Sequence, residues 1–295
     1  MDENLAKKII DKCGAALQKK YEASFERTYL DESTPENVCS DLAYLEKLTA
    51  ENFIELDFYF KTEAETELLH LRLYQRQKTI PLSDLLPFLS DLGFRVLNER
   101  SYRIALGPET LWISDFSISS VQSKTFDIDQ MRPLFHDAFI EVSSHHFESD
   151  GFNNLMLGAK LSWREITILR TYGKYLRQVG FRFSQIYIEG ALSHNPEIAR
   201  NLVELFLVKH NPKKDSDNEN LSSSLEKNIL KALDAVASLD EDNILRRMLA
   251  LIKATLRTNY FQSQPNGNHK DYLAIKLSSA EIPELPLPLP LPSWM

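Results

Sequence analysis

The chain has 295 residues, 43% of them hydrophobic and 26% charged, with a formal net charge of -8 and a pI near 5.5. These values describe a soluble globular protein with room for one large domain or two ordinary ones. They exclude a global electrostatic pull toward phosphate or anionic lipid, and no apolar run approaches the roughly 18 residues that a bilayer crossing needs.

The start, MDENLAKKIIDKCGAALQ, lacks the basic region, apolar core and small-residue cleavage site of a secretory leader, so a cytoplasmic location is expected. Cys13 and Cys39 are the two cysteines, too few for a disulfide framework or a metal quartet, and both are expected as free thiols in a reducing compartment. Leu5, Ile9, Ala16, Leu17 and Tyr21 recur at helical spacing and predict a helix over 3–28, weakened at Gly14. Thr34-Pro35-Glu36-Asn37 then gives an N-cap, a proline at the first helical position and an early acid, opening a second helix to about Leu48.

The period changes next. In FIELDFYF, Ile54, Leu56, Phe58 and Phe60 alternate with polar neighbours; in ELLHLRLYQ, Leu69, Leu71 and Leu73 alternate with His70, Arg72 and Tyr74. Both read as half-buried strands with one apolar face. A helix from Ser83 to Leu92 ends at Gly93, and FRVLNERSYRIAL and TLWISDFSI supply two more strands joined at Gly107-Pro108. Strand, strand, helix, strand, strand predicts an antiparallel four-stranded sheet with a helix on one face.

From 128 onward helical patterns dominate, so the fold class is α+β with a mainly α-helical second part. Ser162 with Glu165 and Ser238 with Glu241 have capping-box spacing, Gly180 closes one helix, and Asn195-Pro196 opens another. The run NPKKDSDNENLSSS is polar and charged and reads as an exposed, flexible connector. YLAIKLSS suggests a short strand, and IPELPLPLPLPSWM alternates leucine with proline, excluding helix and interior strand. The divisions expected are 1–49 (N-terminal helices), 50–122 (α+β), 123–210 (helical), 211–224 (connector), 225–262 (helical hairpin) and 263–295 (short strand and proline-rich tail).

Residues 161–189, LSWREITILRTYGKYLRQVGFRFSQIYIE, interleave six aromatics with five basic residues. Rings and cations together can bind nucleic acid, but the spacing of Ile166, Leu169, Tyr172 and Leu176 favours packed helices with a solvated basic face. Established chemistries are missing from the pattern. The nine glycines form neither G-x-G-x-x-G nor a P-loop, and H-E-x-x-H, C-x-x-C and G-x-S-x-G do not occur. His145-His146 with Glu148 and Asp150 is a cluster of metal-capable side chains, but adjacent helical residues point about 100° apart and the plainer reading is a polar helix end. Asn220-Leu221-Ser222 fits a glycosylation acceptor, discounted without a leader.

Longer runs carry more. DGFNNLMLGAKLSWREITILRTYGKYLRQVGFRFSQIYIEGALSHNPEIARNLVELF resembles the middle region of the large bacterial NAD-dependent glutamate dehydrogenases. So do LSDLLPFLSDLGFRVLNERSYRI with LWISDF, LDAVASLDEDNILRRMLALIKATLRTNYFQ, and YLAIKL followed by IPELPLP, in that order and over most of residues 80–290. The resemblance implies that the 50–122 block is an ACT-like domain and that the chain is a piece of a longer polypeptide. The catalytic part is then expected beyond the leucine–proline segment Leu285 to Pro292. It further implies a parent that oxidises L-glutamate with NAD. It assigns this segment no catalytic, cofactor-binding or metal residues.

ACT-like sheets pair side by side and bind small amino acids at the seam, so an exposed edge strand within 53–75 or 109–119 is expected to favour homo-oligomers. Asp84, Asn98 and Arg103 lie near the expected loops, without forming a visible convergent set. The expected role is a non-catalytic regulatory and assembly segment, inactive alone. Its partners would be the downstream catalytic domain, other subunits and an amino-acid effector, with neither nucleic acid nor membrane involved. The alternatives are a free-standing helical interaction module, docking through the basic helix and the leucine–proline tail, and, behind it, a nucleic-acid adaptor.

Overall fold

The computed structural model describes residues 13–21, 24–63, 66–120, 127–143, 148–213 and 216–285. They form two compact units, divided at His136 and Asp137 except that the short turn 91–93 is grouped with the second.

Among the described residues the first unit begins with three short helices, α1 (Ala15–Tyr21), α2 (Arg27–Glu32) and α3 (Pro35–Leu45). The single helix expected over 3–28 is thus broken. Gly14 has φ +88°, a left-handed conformation that no L side chain adopts comfortably, and it stands just ahead of α1. Between α1 and α2 the chain turns to make a bridge from Phe25 to Ile104. Residues 1–12 lie outside those described. The start of α3 follows its sequence signal: Thr34 accepts a hydrogen bond from the Asn37 N–H, and Pro35 occupies the first turn.

Strands β1 (Ile54–Glu63) and β2 (Thr66–Arg76) form a hairpin, α4 (Leu82–Asp91) crosses over, and β3 (Phe94–Leu106) and β4 (Glu109–Ser120) form a second hairpin. The order β1-β2-β4-β3 puts β4 between the strands that α4 connects, and every neighbouring pair is antiparallel. The edges are therefore β1 and β3. The expected edge at 109–119 is corrected: β4 is interior, and only the first half of the 53–75 alternative lies at an edge. Both hairpins were legible, but which strand they share cannot be read from local turns.

On one sheet face Leu56, Phe58, Leu71, Leu73, Phe116 and Ile118 are buried beside Leu85, Phe88 and Leu89 of α4. Helix α5 (Ile128–Ser143) adds Phe135, whose ring meets Phe58 edge-on at 4.9 Å. The opposite face differs from expectation. His70, Arg72 and Tyr74, read from alternation as solvent-facing, are all buried, and Tyr74, Tyr102, Ile104 and Ile113 share a core with Tyr21, Tyr29, Val38, Leu42 and Leu45 of α1–α3. The sheet is thus covered on both sides, so polarity did not mark exposure.

Cys13 and Cys39 are also corrected. They form a disulfide, with Cα atoms 5.4 Å apart across 26 residues of sequence, joining the segment before α1 to α3. The approach comes from α1 and α3 packing together, which spacing alone does not reveal. Closing a loop of this length restricts the unfolded chain, so reduction should lower stability by about 3 kcal/mol. Urea unfolding with and without dithiothreitol, beside the Cys13→Ser/Cys39→Ser variant, measures it; coincident curves would show that the bond contributes nothing.

The second unit is mainly helical. A 3-10 turn, Gly151–Asn154, leads into α6 (Leu155–Ala159), α7 (Trp163–Gln178), α8 (Gln185–His194), α9 (Pro196–His210), α10 (Ser216–Leu233) and α11 (Leu239–Lys253). The expected flexible connector 211–224 is corrected, because α10 already begins at Ser216. Leu225, Ile229 and Leu233 recur every four residues and are buried as α10 packs against α9, while a polar first half hid the pattern. The last helix stops at Lys253, earlier than expected, and Thr255–Thr258 (β5) pairs with Ile275–Leu277 (β6), within the expected YLAIKLSS strand.

The first capping box is complete at Ser162 and Glu165. The second is half formed: Ser238 accepts from the Glu241 N–H, but the Glu241 carboxylate is used instead by His194 Nδ1 at 2.8 Å and Asn195 Nδ2 at 2.9 Å. Among the described residues, no helix is long and apolar enough to cross a membrane.

Candidate functional site

The densest set of buried charge lies where α3 meets the sheet. The register sets Arg72 of β2 opposite Asp115 of β4, and His70 opposite Tyr59 of β1. Arg72 Nη1 donates to both Asp41 oxygens, at 2.7 and 2.8 Å, and Nη2 donates to Asp115 Oδ2 at 2.5 Å and Tyr59 Oη at 2.6 Å. Tyr29 and Tyr74 donate their hydroxyls to Asp41, Tyr59 donates to Asp115, and His70 Nδ1 lies 2.8 Å from Asp115 Oδ1. Asp41, on α3, is completely buried. One guanidinium therefore joins a helix to two strands, its Nη1 shared between the two Asp41 oxygens and its Nη2 between Asp115 and Tyr59, charge-assisted bonds of the stronger kind.

Burial pushes the Tyr29 and Tyr74 hydroxyls well up, and the neighbouring Asp41 carboxylate adds to it. Arg72 is opposed by burial, but Asp41 and Asp115 together hold it more firmly protonated than a free arginine. The two carboxylates diverge. Burial raises Asp41 despite Arg72 and its two tyrosine donors. Burial also works to raise Asp115, but the His70 contact, Arg72 and Tyr59 together bring it down to about 2. The tyrosines and the arginine are thus moved away from neutrality, which suits a clamp better than acid–base work.

Beside the cluster is a small polar cleft, floored by His70, Arg72 and Asp115, with Lys61, Asn98 and Arg100 toward its rim. Its volume of about 20 Å³ suits one water-sized group and falls far below the roughly 300 Å³ at which small-molecule sites begin. Asn98, noted from sequence, lines this cleft. Asp84 lies in the first turn of α4 and Arg103 projects from β3 on the alternate register to Arg100, so the three do not converge. Of the metal-capable cluster, His145 and His146 lie outside the described residues; Glu148 pairs with Lys174 at 2.5 Å and Asp150 with Arg170 at 2.9 Å. The Asp41–Arg72–Asp115 group went unnoticed in the sequence, and its one signal was the run of polar residues between Leu69, Leu71 and Leu73.

Comparison with known proteins agrees with this architecture. Residues 53–131, spanning β1 to the start of α5, match the glutamate dehydrogenase ACT3 domain; residues 147–212 match glutamate dehydrogenase helical motif 3; residues 228–293 match the catalytic domain of bacterial NAD-glutamate dehydrogenase. Over nearly its whole length the chain is similar to one segment of the bacterial NAD-specific glutamate dehydrogenases. It is 38% identical over 274 residues to the NAD-specific glutamate dehydrogenase of Halomonas elongata, covering 93% of this chain and 17% of that one. The Pseudomonas aeruginosa enzyme of the same name is 38% identical over 281 residues, and that of Mycobacterium tuberculosis 35% over 286, each covering 94% of this chain and 17% of the relative. The chain thus spans about a sixth of the length of the curated relatives it matches.

The resemblance read from the quoted runs, the ACT-like sheet and the mixed α+β class all stand. Where the sequence reading placed the catalytic part beyond the leucine–proline segment, the catalytic-domain match takes in residues 228–293, including α11 and the β5–β6 pair.

Proposed function

We propose that this chain is a regulatory and assembly segment of a large NAD-dependent glutamate dehydrogenase, without turnover of its own. The whole enzyme would convert L-glutamate, NAD and water to 2-oxoglutarate, ammonia and NADH. The observation that carries the reading is the sheet unit: Asp41, Arg72 and Asp115, which in an active site would face substrate, bind one another and fix α3. The sequence supports it, because its nine glycines supply no dinucleotide cradle within these residues.

In this reading the partners are the rest of the parent chain and other subunits of a cytoplasmic homo-oligomer, with β1 as the strand edge offered to a second copy. An amino-acid effector would act through contacts that differ between two states of the assembly. Nucleic acid and membrane have no part. The purified chain, incubated with L-glutamate and NAD, is expected to give no rise in absorbance at the NADH band. Glutamate-dependent reduction by this chain alone would overturn the proposal.

A further inference from the structure

The second unit holds a cavity of about 490 Å³ between α11, the turn after α7 and residues 282–285, a size typical of small-molecule sites. Asn243, Arg246, Arg247 and Ala250 face it from α11 at helical spacing, and Arg182 faces it from the turn. Leu176, Val179 and Ala250 give it apolar walls.

Arg247 is the deepest cation, its side chain only 11% exposed, and its guanidinium lies 5.5 Å from the Phe181 ring centroid. It donates to the Pro283 carbonyl and to the Glu284 carboxylate. The partner is poorly matched. Glu284 is 81% exposed in its side chain and sits at φ 57°, a left-handed conformation unfavourable for a residue with a Cβ. A mostly buried guanidinium is therefore held by a carboxylate that keeps most of its contact with water and strains its own backbone.

The rim fixes the charge of a replacement. Arg182 pairs with Asp240 at 3.3 Å, and Arg246 with Asp242 at 2.8 Å and Asp234 at 3.1 Å. With Glu284 displaced, Arg182, Arg246 and Arg247 face Asp234, Asp240 and Asp242, and the site is balanced before a ligand enters. One negative charge on a ligand takes the place of the one that Glu284 now supplies, whereas a dianion exceeds it.

The geometry points to a binding site for a small monocarboxylate with an apolar body: its carboxylate takes the place of Glu284 on Arg247, and its body fills the cavity against Leu176, Val179 and Ala250. Glu284 is then a built-in competitor. This inference does not rest on the reaction of the parent enzyme.

The test is calorimetric titration of the 295-residue chain with hexanoate, with inorganic phosphate as a second probe. Hexanoate should bind saturably, and Glu284→Gln, which removes the competing charge, should bind it about tenfold more tightly, as a charge-assisted hydrogen bond implies. Arg247→Gln should bind it at least about tenfold more weakly, with its circular dichroism unchanged. Phosphate should bind more weakly than hexanoate to every form. Absence of saturable hexanoate binding by both the native chain and Glu284→Gln would overturn the site. Equal affinity across all three forms would do the same, and preference for phosphate would overturn the ligand class.

Discussion

Replacing Arg72 by methionine should destabilise the sheet unit by about 3–5 kcal/mol, because removal of one partner strands buried charge. Asp41 and Asp115 are both buried and both lean on this guanidinium, so the variant leaves two buried carboxylates without the cation they share. The control is Arg100→Met, which breaks a pair with Glu32 whose side chains are 50% and 43% exposed and should cost no more than about 1 kcal/mol. Urea unfolding of both variants gives the comparison; similar losses would mean that burial of the Arg72 cluster has been overvalued.

The pH dependence separates charge from packing. In the native chain Asp115 is held at about 2, below the roughly 3.9 of an unfolded aspartate, so its contribution is present above about pH 4 and fades as pH falls toward 2. Asp41, raised by burial, contributes in the opposite sense: its stabilisation is present at low pH and is lost as pH rises through its folded value. Without Arg72 both carboxylates should move up, giving the variant stability that is present only when they are protonated. Its deficit should therefore be largest near pH 7 and shrink below about pH 4. A deficit independent of pH would assign the loss to packing of the arginine stem.

How the sequence hides such a cluster follows from periodicity. Alternation in β2 separates Leu69, Leu71 and Leu73 from His70, Arg72 and Tyr74 correctly, and the structure keeps them on opposite faces. What alternation cannot give is whether another element covers the second face, since that depends on Asp41, thirty-one positions away, meeting Arg72. Local signals fared better because their partners are local: the Thr34 cap, the Ser162–Glu165 box and the left-handed turn at Gly93 all form where the residues predict them. The disulfide and the onset of α10 were missed for the same reason as the clamp. In each, the deciding neighbour is remote in sequence or masked by polar composition.

The basic and aromatic stretch 161–189 poses the same problem on a helix. Tyr172 and Tyr175 are buried, as packing predicts, yet Arg170, assigned from the wheel to the solvated basic face, is buried too. Its Nε lies 2.9 Å from Asp150 Oδ2, and Nη2 lies 2.9 Å from Asp150 Oδ1 and 2.5 Å from Asn153 Oδ1. Asn153 is fully buried, and Asp150 also caps the 3-10 turn by accepting from the Phe152 N–H. Arg170 thereby fixes the turn that presents Phe152 to α7, where Gly173 leaves room for the ring: a Cβ at that position would stand 2.6 Å from Phe152 Cζ.

Arg170→Met should accordingly cost about 3 kcal/mol, the penalty of leaving a mostly buried carboxylate without its counter-charge and an amide oxygen without this donor. Lys174→Met, one turn on, removes a pair with Glu148 in which the side chains are 51% and 59% exposed, and should change stability by less than about 1 kcal/mol. Chemical unfolding of the two variants distinguishes the two kinds of basic residue in this stretch. A large loss at Arg170 with little at Lys174 follows if packing fixes the first cation and solvent takes the second. Equal small losses would return Arg170 to the solvated face and leave the position of Phe152 to be explained by packing against Gly173 alone.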